Sequence, residues 1–315
     1  MIPIPEQGSF PVQGLTCGRK NGLFERGWIA GFFPDMITSL GRYEKVSPEF
    51  SFSSLSHRII ACSAETVHIY QLSYLYLSFM FGVSTFCLHD IPLPDALDRL
   101  SGITGYIEVM DEGLHFLKSA EPLLSCSSRF SIHTPCRGTN IASLLEPIRR
   151  ASVEVMAECF TIAAEVNAPL VIHPGYFAWA EERGRAERQL QCSLAALDLL
   201  AQEYSVTFYI ENMGNWEYFF LKTPAELPLI GTTAYALDVG HAHQNHCLAE
   251  FLLHPAGHYH LHDNTGNEDS HDAVGNGSID FSAVMNTLRK TAVTPIIEVA
   301  SYEGVLKSID QLKLL

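Results

Sequence analysis

The sequence predicts a single-domain α/β fold, a (β/α)8 barrel, with an N-terminal extension outside the barrel. Three observations lead to it. From Met80 onward, short apolar β-rich runs alternate with longer segments of helical period, the pattern of βα units around a parallel sheet. Eight such runs fit within residues 80–315, and about 250 residues is the usual length of a barrel of this kind. No G-x-G-x-x-G or G-x-x-x-x-G-K-[ST] fingerprint follows an early strand, which disfavours a doubly wound open sheet.

Taken in order, the predicted strands are 82–88 (GVSTFCL), 104–110 (TGYIEVM), 129–133 (RFSIH), 169–173 (PLVIH), 206–211 (VTFYIE), 234–238 (AYALD), 257–262 (GHYHLH) and 294–298 (TPIIE). Each is rich in β-branched or aromatic residues and bounded by turn formers or polar positions. Helices are expected near 93–100, 112–119, 142–166, 184–204, 223–226, 246–253, 280–289 and 302–313. The best defined is 142–166, where Leu144, Leu145, Ile148, Val153, Met156 and Phe160 recur at helical spacing beside Arg149, Arg150 and Glu154. Residues 1–79 show turn formers, a Ser-rich patch and aromatic runs without a sustained period. That segment reads as an extension, disordered or loosely packed, or an artefact of the assigned start.

Composition narrows the function. The formal charge is −15, and because residues 1–79 hold six basic and six acidic side chains, the whole excess falls on the barrel region. Such a body repels polyanions unless bound cations offset it. The eight cysteines are widely spaced and lack a C-x-x-C pair, so reduced thiols in a cytoplasmic protein are expected. No secretory signal opens the chain, and the uncharged stretch Thr66–Leu88 serves better as a lead into the first strand than as a membrane span.

Chemistry is concentrated where the strands end. In barrels of this type the active site is built from the C-terminal strand ends and the loops after them. Here those ends carry His133, His173, Glu211, Asp238 and Glu298, strand seven carries His260 and His262, and His241, His243, Asp269 and His271 follow shortly after strands six and seven. A histidine at a strand end is ordinarily just a satisfied polar residue. Six successive strands offering His, Asp or Glu at one end instead point to a divalent metal site, since these donors suit Zn2+, Mn2+ and similar ions. Glu108 reads as a supporting or rim residue, and His115, His246, His254 and His258 as structural or surface histidines.

The series IHTPCRGTN, VIHPG, IENM, LDVGHAH, HLHDNTGNEDSHDAVGNGSIDF and PIIEVA resembles the xylose isomerase-like TIM-barrel superfamily over residues 80–315. That superfamily includes the endonuclease IV (AP endonuclease family 2) nucleases and many sugar or sugar-phosphate isomerases and epimerases. Resemblance to the nucleases implies three metals on nine ligands: His133, His173, Glu211, Asp238, His241, His260, Asp269, His271 and Glu298. Resemblance to the isomerases implies one divalent ion on Glu211, Asp238, His260 and Glu298, with Glu211 and Glu298 as catalytic proton carriers. His133, His173, His241 and His271 would then hold substrate hydroxyls or phosphate, and Asn212, His243 and His262 are also expected to contact substrate.

Two departures favour the isomerase or epimerase branch. The nucleases place an aromatic and an aliphatic wedge after the third strand; this chain has Cys136, Arg137 and Gly138 in a loop one residue longer. Lys and Arg are also too sparse to form the basic track that a phosphate backbone requires. The expectation is therefore a metal-dependent enzyme with one to three divalent ions (Zn, alternatively Mn, Mg or Co) acting on a sugar or sugar phosphate. DNA is the substrate only under the alternative, a zinc-dependent AP endonuclease, and no membrane is involved.

Overall fold

Eight parallel strands close into a barrel in strict sequence order, β1 pairing with both β2 and β8. They are β1 (Gly82–Ser84), β2 (Tyr106–Met110), β3 (Arg129–His133), β4 (Leu170–Ile172), β5 (Phe208–Glu211), β6 (Tyr235–Asp238), β7 (His258–Leu261) and β8 (Ile296–Ile297). This computed structural model describes residues 81–315. The ring is complete within that span, and the reading of residues 1–79 as disordered or loosely packed lies outside the described residues. Among the described residues no helix is long and apolar enough to cross a membrane; most of Thr66–Leu88 lies before them, and its last part is β1 and the turn after it.

Side chains alternate across each strand, and this sorts the barrel into an apolar outer layer and a polar interior. On β2, Ile107 and Val109 join the hydrophobic core while Glu108 carries its charge into the barrel; on β7, Tyr259 and Leu261 join the core in alternation with the inward His258 and His260. Ser131 and His133 alternate with Phe130 and Ile132 on β3. The core continues outward under α1 (Leu93–Ser101), where Ala96, Leu97 and Leu100 are buried, and under α3 (Glu146–Val166) through Met156, Phe160 and Ala163, with α2 (Glu121–Leu124) between them in sequence.

Several boundaries differ from expectation for local reasons. The first strand stops at Ser84, whose hydroxyl accepts from Phe86 N and starts a 3-10 turn over Thr85–Leu88. A helix over 112–119 does not form, because Gly113 takes a left-handed φ of 59° and the Asp111 carboxylate captures Leu117 N at 2.6 Å. A short 3-10 turn (Gly113–His115) and α2 replace it. The long helix begins at Glu146 instead of residue 142, since Asn140 Oδ1 accepts from Ala142 N and Tyr176 N and holds the preceding residues as a loop.

Both α3 and α4 (Arg183–Tyr204) end on left-handed residues, Asn167 and Ser205. The segment near 223–226 is a 3-10 helix over Pro224–Ile230, and the expected helix at 246–253 is α6 (Leu248–Phe251), preceded by α5 (Val239–Gln244) inside the LDVGHAH motif. Asp238 caps α5 by accepting from His241 N at 2.7 Å. The last helices, α7 (Phe281–Leu288) and α8 (Tyr302–Leu312), lie close to their expected positions.

Candidate metal centre

At the C-terminal end of the barrel, one donor atom from each of Glu211, Asp238, His260 and Glu298 lies within 4.8 Å of the others. The four are buried. His260 Nδ1 stands 2.8 Å from Glu211 Oε1, 3.3 Å from Glu298 Oε2 and 3.9 Å from Asp238 Oδ2. Behind it, His260 Nε2 is 2.8 Å from Glu108 Oε1, close but without hydrogen-bond alignment. Glu108 is thus no rim residue: it is fully buried and also accepts from His258 Nε2 at 2.8 Å and Ser131 Oγ at 2.9 Å. His258 is interior and paired with Glu108; His115 is likewise buried, between Thr85 and Ile91, while His246 and His254 are exposed.

Two further donor groups flank this one. His133 Nε2 and His173 Nε2 lie 3.2 and 2.9 Å from Glu211 Oε2, and Cys136 joins the two histidines within 4.8 Å. On the opposite side His241, His262, Asp269 and His271 form a group with the same spacing, in which Asp269 Oδ2 is 3.1 Å from His241 Nε2 and 3.4 Å from His271 Nε2. Seven of the nine residues of the wider set line one cavity, and Asp238 and His260 are buried against them.

The histidine tautomers are fixed by what lies behind the rings. Nδ1 of His133, His241 and His271 each donates to a backbone carbonyl, of Thr134, Asn212 and Glu298, at 3.1, 2.9 and 2.8 Å. A carbonyl can only accept, so in the neutral ring the lone pair is on Nε2 and faces the carboxylates. This is the arrangement that holds an imidazole ready for a metal ion.

Charge supports the same reading. Burial alone would raise the Glu211 carboxyl, but His260 and His173 overcome it and hold it well below the usual range. Against the same penalty, His241 and His262 bring Asp238 to about 2. Burial opposes charging of His133 and His271, yet Glu211 and Asp269 lift them to about 9. Protons on imidazoles thus balance converging buried carboxylates when no cation does. Divalent ions would replace those protons on the same donors, so the residues fit a metal centre.

The donors floor an open cavity of about 740 Å3 whose walls include Phe86, Tyr176, Trp216 and Phe219, with Arg137 at the rim. Of the expected substrate contacts, Asn212, His243 and His262 do not line the cavity. Asn212 spends Oδ1 on Asp238 N at 2.7 Å and Nδ2 on Asp238 O at 3.0 Å, bracing β6. His243 faces Ser278 Oγ at 2.9 Å, away from the cavity lining. His262 is fully buried, with Nε2 at 3.0 Å from Asp238 Oδ1 and its ring stacked 3.8 Å from His271.

Burial and Glu112 push the Cys136 thiol up, so it is not a thiolate by itself. Sequence reasoning did not group Cys136 with His133 and His173, to which its sulfur stands close, and left Glu108 at the margin. A signal existed for Glu108: it shares the alternation that turns His258, His260 and His262 inward.

A profile of the xylose isomerase-like TIM barrel matches residues 116–313, more than half of the chain. The chain belongs to the xylose isomerase-like TIM-barrel family. Two uncharacterized proteins of Methanocaldococcus jannaschii are similar to this family member. One is 31% identical over 243 residues, covering 74% of this chain and 95% of the relative; the other is 27% identical over 245 residues, covering 71% and 84%. Among solved structures, a D-tagatose 3-epimerase-like protein superposes with a TM-score of 0.70 at 25% identity, covering 75% of this chain and 96% of its own. The IolI protein with a bound zinc atom shares the fold at 16% identity, with a TM-score of 0.62 and coverage of 75% and 96%.

Proposed function

We propose that this xylose isomerase-like barrel is a metal-dependent isomerase or epimerase of a sugar or sugar phosphate. One observation carries the reading: Glu211 and Glu298 present donor atoms within 4.8 Å of each other on the floor of an open cavity, with His260 between them. The likeness to a D-tagatose 3-epimerase-like protein supports it. A divalent ion held by Glu211, Asp238, His260 and Glu298, Zn2+ or alternatively Mn2+, Mg2+ or Co2+, would polarise a carbonyl and a neighbouring hydroxyl of an open-chain sugar.

The chain's own residues account for the remaining chemistry. Glu211 or Glu298 would accept the proton from the carbon next to the carbonyl; for epimerisation the other carboxyl, starting protonated, delivers its proton to the opposite face, and for isomerisation the first returns its proton to the adjacent carbon while the hydroxyl proton passes between the two oxygens. His271, which reaches the cavity, offers a ring nitrogen to a sugar hydroxyl. Tyr176 and Trp216, in edge contact at 5.5 Å, supply a wall against which the apolar face of a sugar ring or chain can lie.

A second reading, metal-dependent cleavage of a phosphodiester in DNA, is favoured by the convergence of nine donors. It is opposed by the lining of the cavity, where Arg137 is the one Lys or Arg among the described residues and is committed to Glu112 at 3.6 Å. A basic track along a polyanion is missing there.

The test is a panel of ketoses and their phosphates in deuterated water, read by mass spectrometry, beside an abasic duplex read for nicking. Deuterium incorporated at carbon, abolished by Glu298→Gln, is the expected result. Nicking with three metals per chain and no exchange would overturn it.

A further inference from the structure

We propose that Cys136, with His133, His173 and Glu211, forms a thiolate-containing zinc site on the β3–β5 side of the cavity, distinct from the group centred on His260. The proposal rests on the reading of this cavity as a metal centre and not on any reaction performed there. Cys136 Sγ and one ring nitrogen from each histidine lie within 4.8 Å of one another. Glu211 Oε2 stands 3.2 and 2.9 Å from His133 Nε2 and His173 Nε2. Bonds of ~2.0–2.3 Å to a tetrahedral ion place donors roughly 3.3–3.7 Å apart, so the two imidazoles and the carboxylate need little movement.

The same carboxylate is already divided between two sides. Its Oε1 faces His260 Nδ1 at 2.8 Å while Oε2 faces the His133 and His173 pair. The two rings meet edge to face, 4.9 Å apart at 82°, so their nitrogens converge while the rings do not stack.

Cys136 is brought to the site by a clamp. Glu112 Oε1 accepts from both Cys136 N at 2.6 Å and Arg137 N at 2.7 Å, tying the loop after β3 to the loop after β2. This fixes the residue three positions beyond His133 at the cavity wall. A thiolate beside two imidazoles selects Zn2+, or Co2+ as its spectroscopic substitute, over Mg2+ and Mn2+. On binding, the S–H proton passes to solvent, a metal–sulfur bond forms and one water leaves the ion.

The experiment titrates the full chain with Co2+ alone. The expected result is a near-ultraviolet thiolate-to-cobalt charge-transfer band that disappears in Cys136→Ser, while that variant still binds Co2+ through the His260 group; Cys192→Ser, at an exposed position, keeps the band. Without any substitution, Zn2+ should slow alkylation of Cys136 roughly tenfold and leave Cys192 unaffected, read by peptide mass spectrometry. Bound Co2+ with no such band, an unchanged band in Cys136→Ser, or unprotected Cys136 would overturn the proposal. If no Co2+ binds at all, the metal reading itself fails; a band without sugar turnover sinks only the isomerase reading.

Discussion

Glu108 Oε1 and His260 Nε2 face each other at 2.8 Å inside the barrel, on strands that are not neighbours in the sheet. Because His260 directs Nδ1 at three carboxylates, the position of its other nitrogen decides whether the ring can serve as a ligand. Glu108 is therefore a positioning residue. Glu108→Gln, which preserves shape, should weaken divalent-ion binding by about 10–100-fold, measured by competition with a chromophoric chelator. Unaltered affinity, with the fold intact by circular dichroism, would refute that role.

Removal of cations should expose a specific pH dependence. His133 and His271 are lifted to about 9 in the cation-free protein, above the unfolded value of about 6.5. Their contribution to stability is complete below the unfolded value and is lost as pH rises through about 9. Metal binding must displace the same protons, so apparent affinity should rise with pH up to that point. Calorimetry in buffers of different ionisation enthalpy would reveal proton release. Zinc at one hundred times its Kd should add about 2.7 kcal/mol to stability.

Asp111, whose N–H donates to His133 O at 2.9 Å, provides an opposite case. Burial raises its carboxyl to about 6, despite the Leu117 N–H and Cys159 S–H that it accepts. A raised carboxyl binds its proton more tightly in the folded state, so stability is favoured below about pH 4 and declines as pH rises through about 6. A two-unit shift corresponds to about 3 kcal/mol. Asp111→Asn should flatten this part of the profile and raise the melting temperature more at pH 8 than at pH 5. Parallel profiles for the two proteins would contradict the assignment.

Gly240 is required for a packing reason. An added Cβ would overlap the His262 imidazole, which is held between Asp238 and His271. Gly240→Ala should cost about 1–3 kcal/mol and displace His262 from Asp238. Denaturant midpoints would show the loss, and a neutral substitution would mean that the ring has room to move.

The strand-end donors were legible because two regularities coincide there. Alternation turns every second residue inward, and a parallel barrel puts the C-terminal end of each strand on one face, so His133, Glu211, Asp238 and Glu298 could be grouped before any contact was known. Pairings across the barrel were not legible. Glu108 and His258 are 150 residues apart and on non-adjacent strands, so only closure of the ring brings them together. Asn212 was expected to meet substrate, yet its amide matches the backbone of Asp238 on the adjoining strand. Cys136 depends on Glu112 reaching across from another loop, and the helix expected over 112–119 failed on a left-handed Gly113, neither of which leaves a periodic trace.

The seam between the first and last strands links the order of synthesis to the finished cage. β8 pairs with β1 through Gly82–Ile296 and Val83–Ile297, and Glu298 follows immediately. A ribosome-bound chain that has released only its first seven strands has neither ring closure nor the final carboxylate. An ion held by the proposed His260 group would therefore have to wait for the C-terminal portion to emerge and dock, and an occupied centre would report that the whole barrel has been translated and sealed.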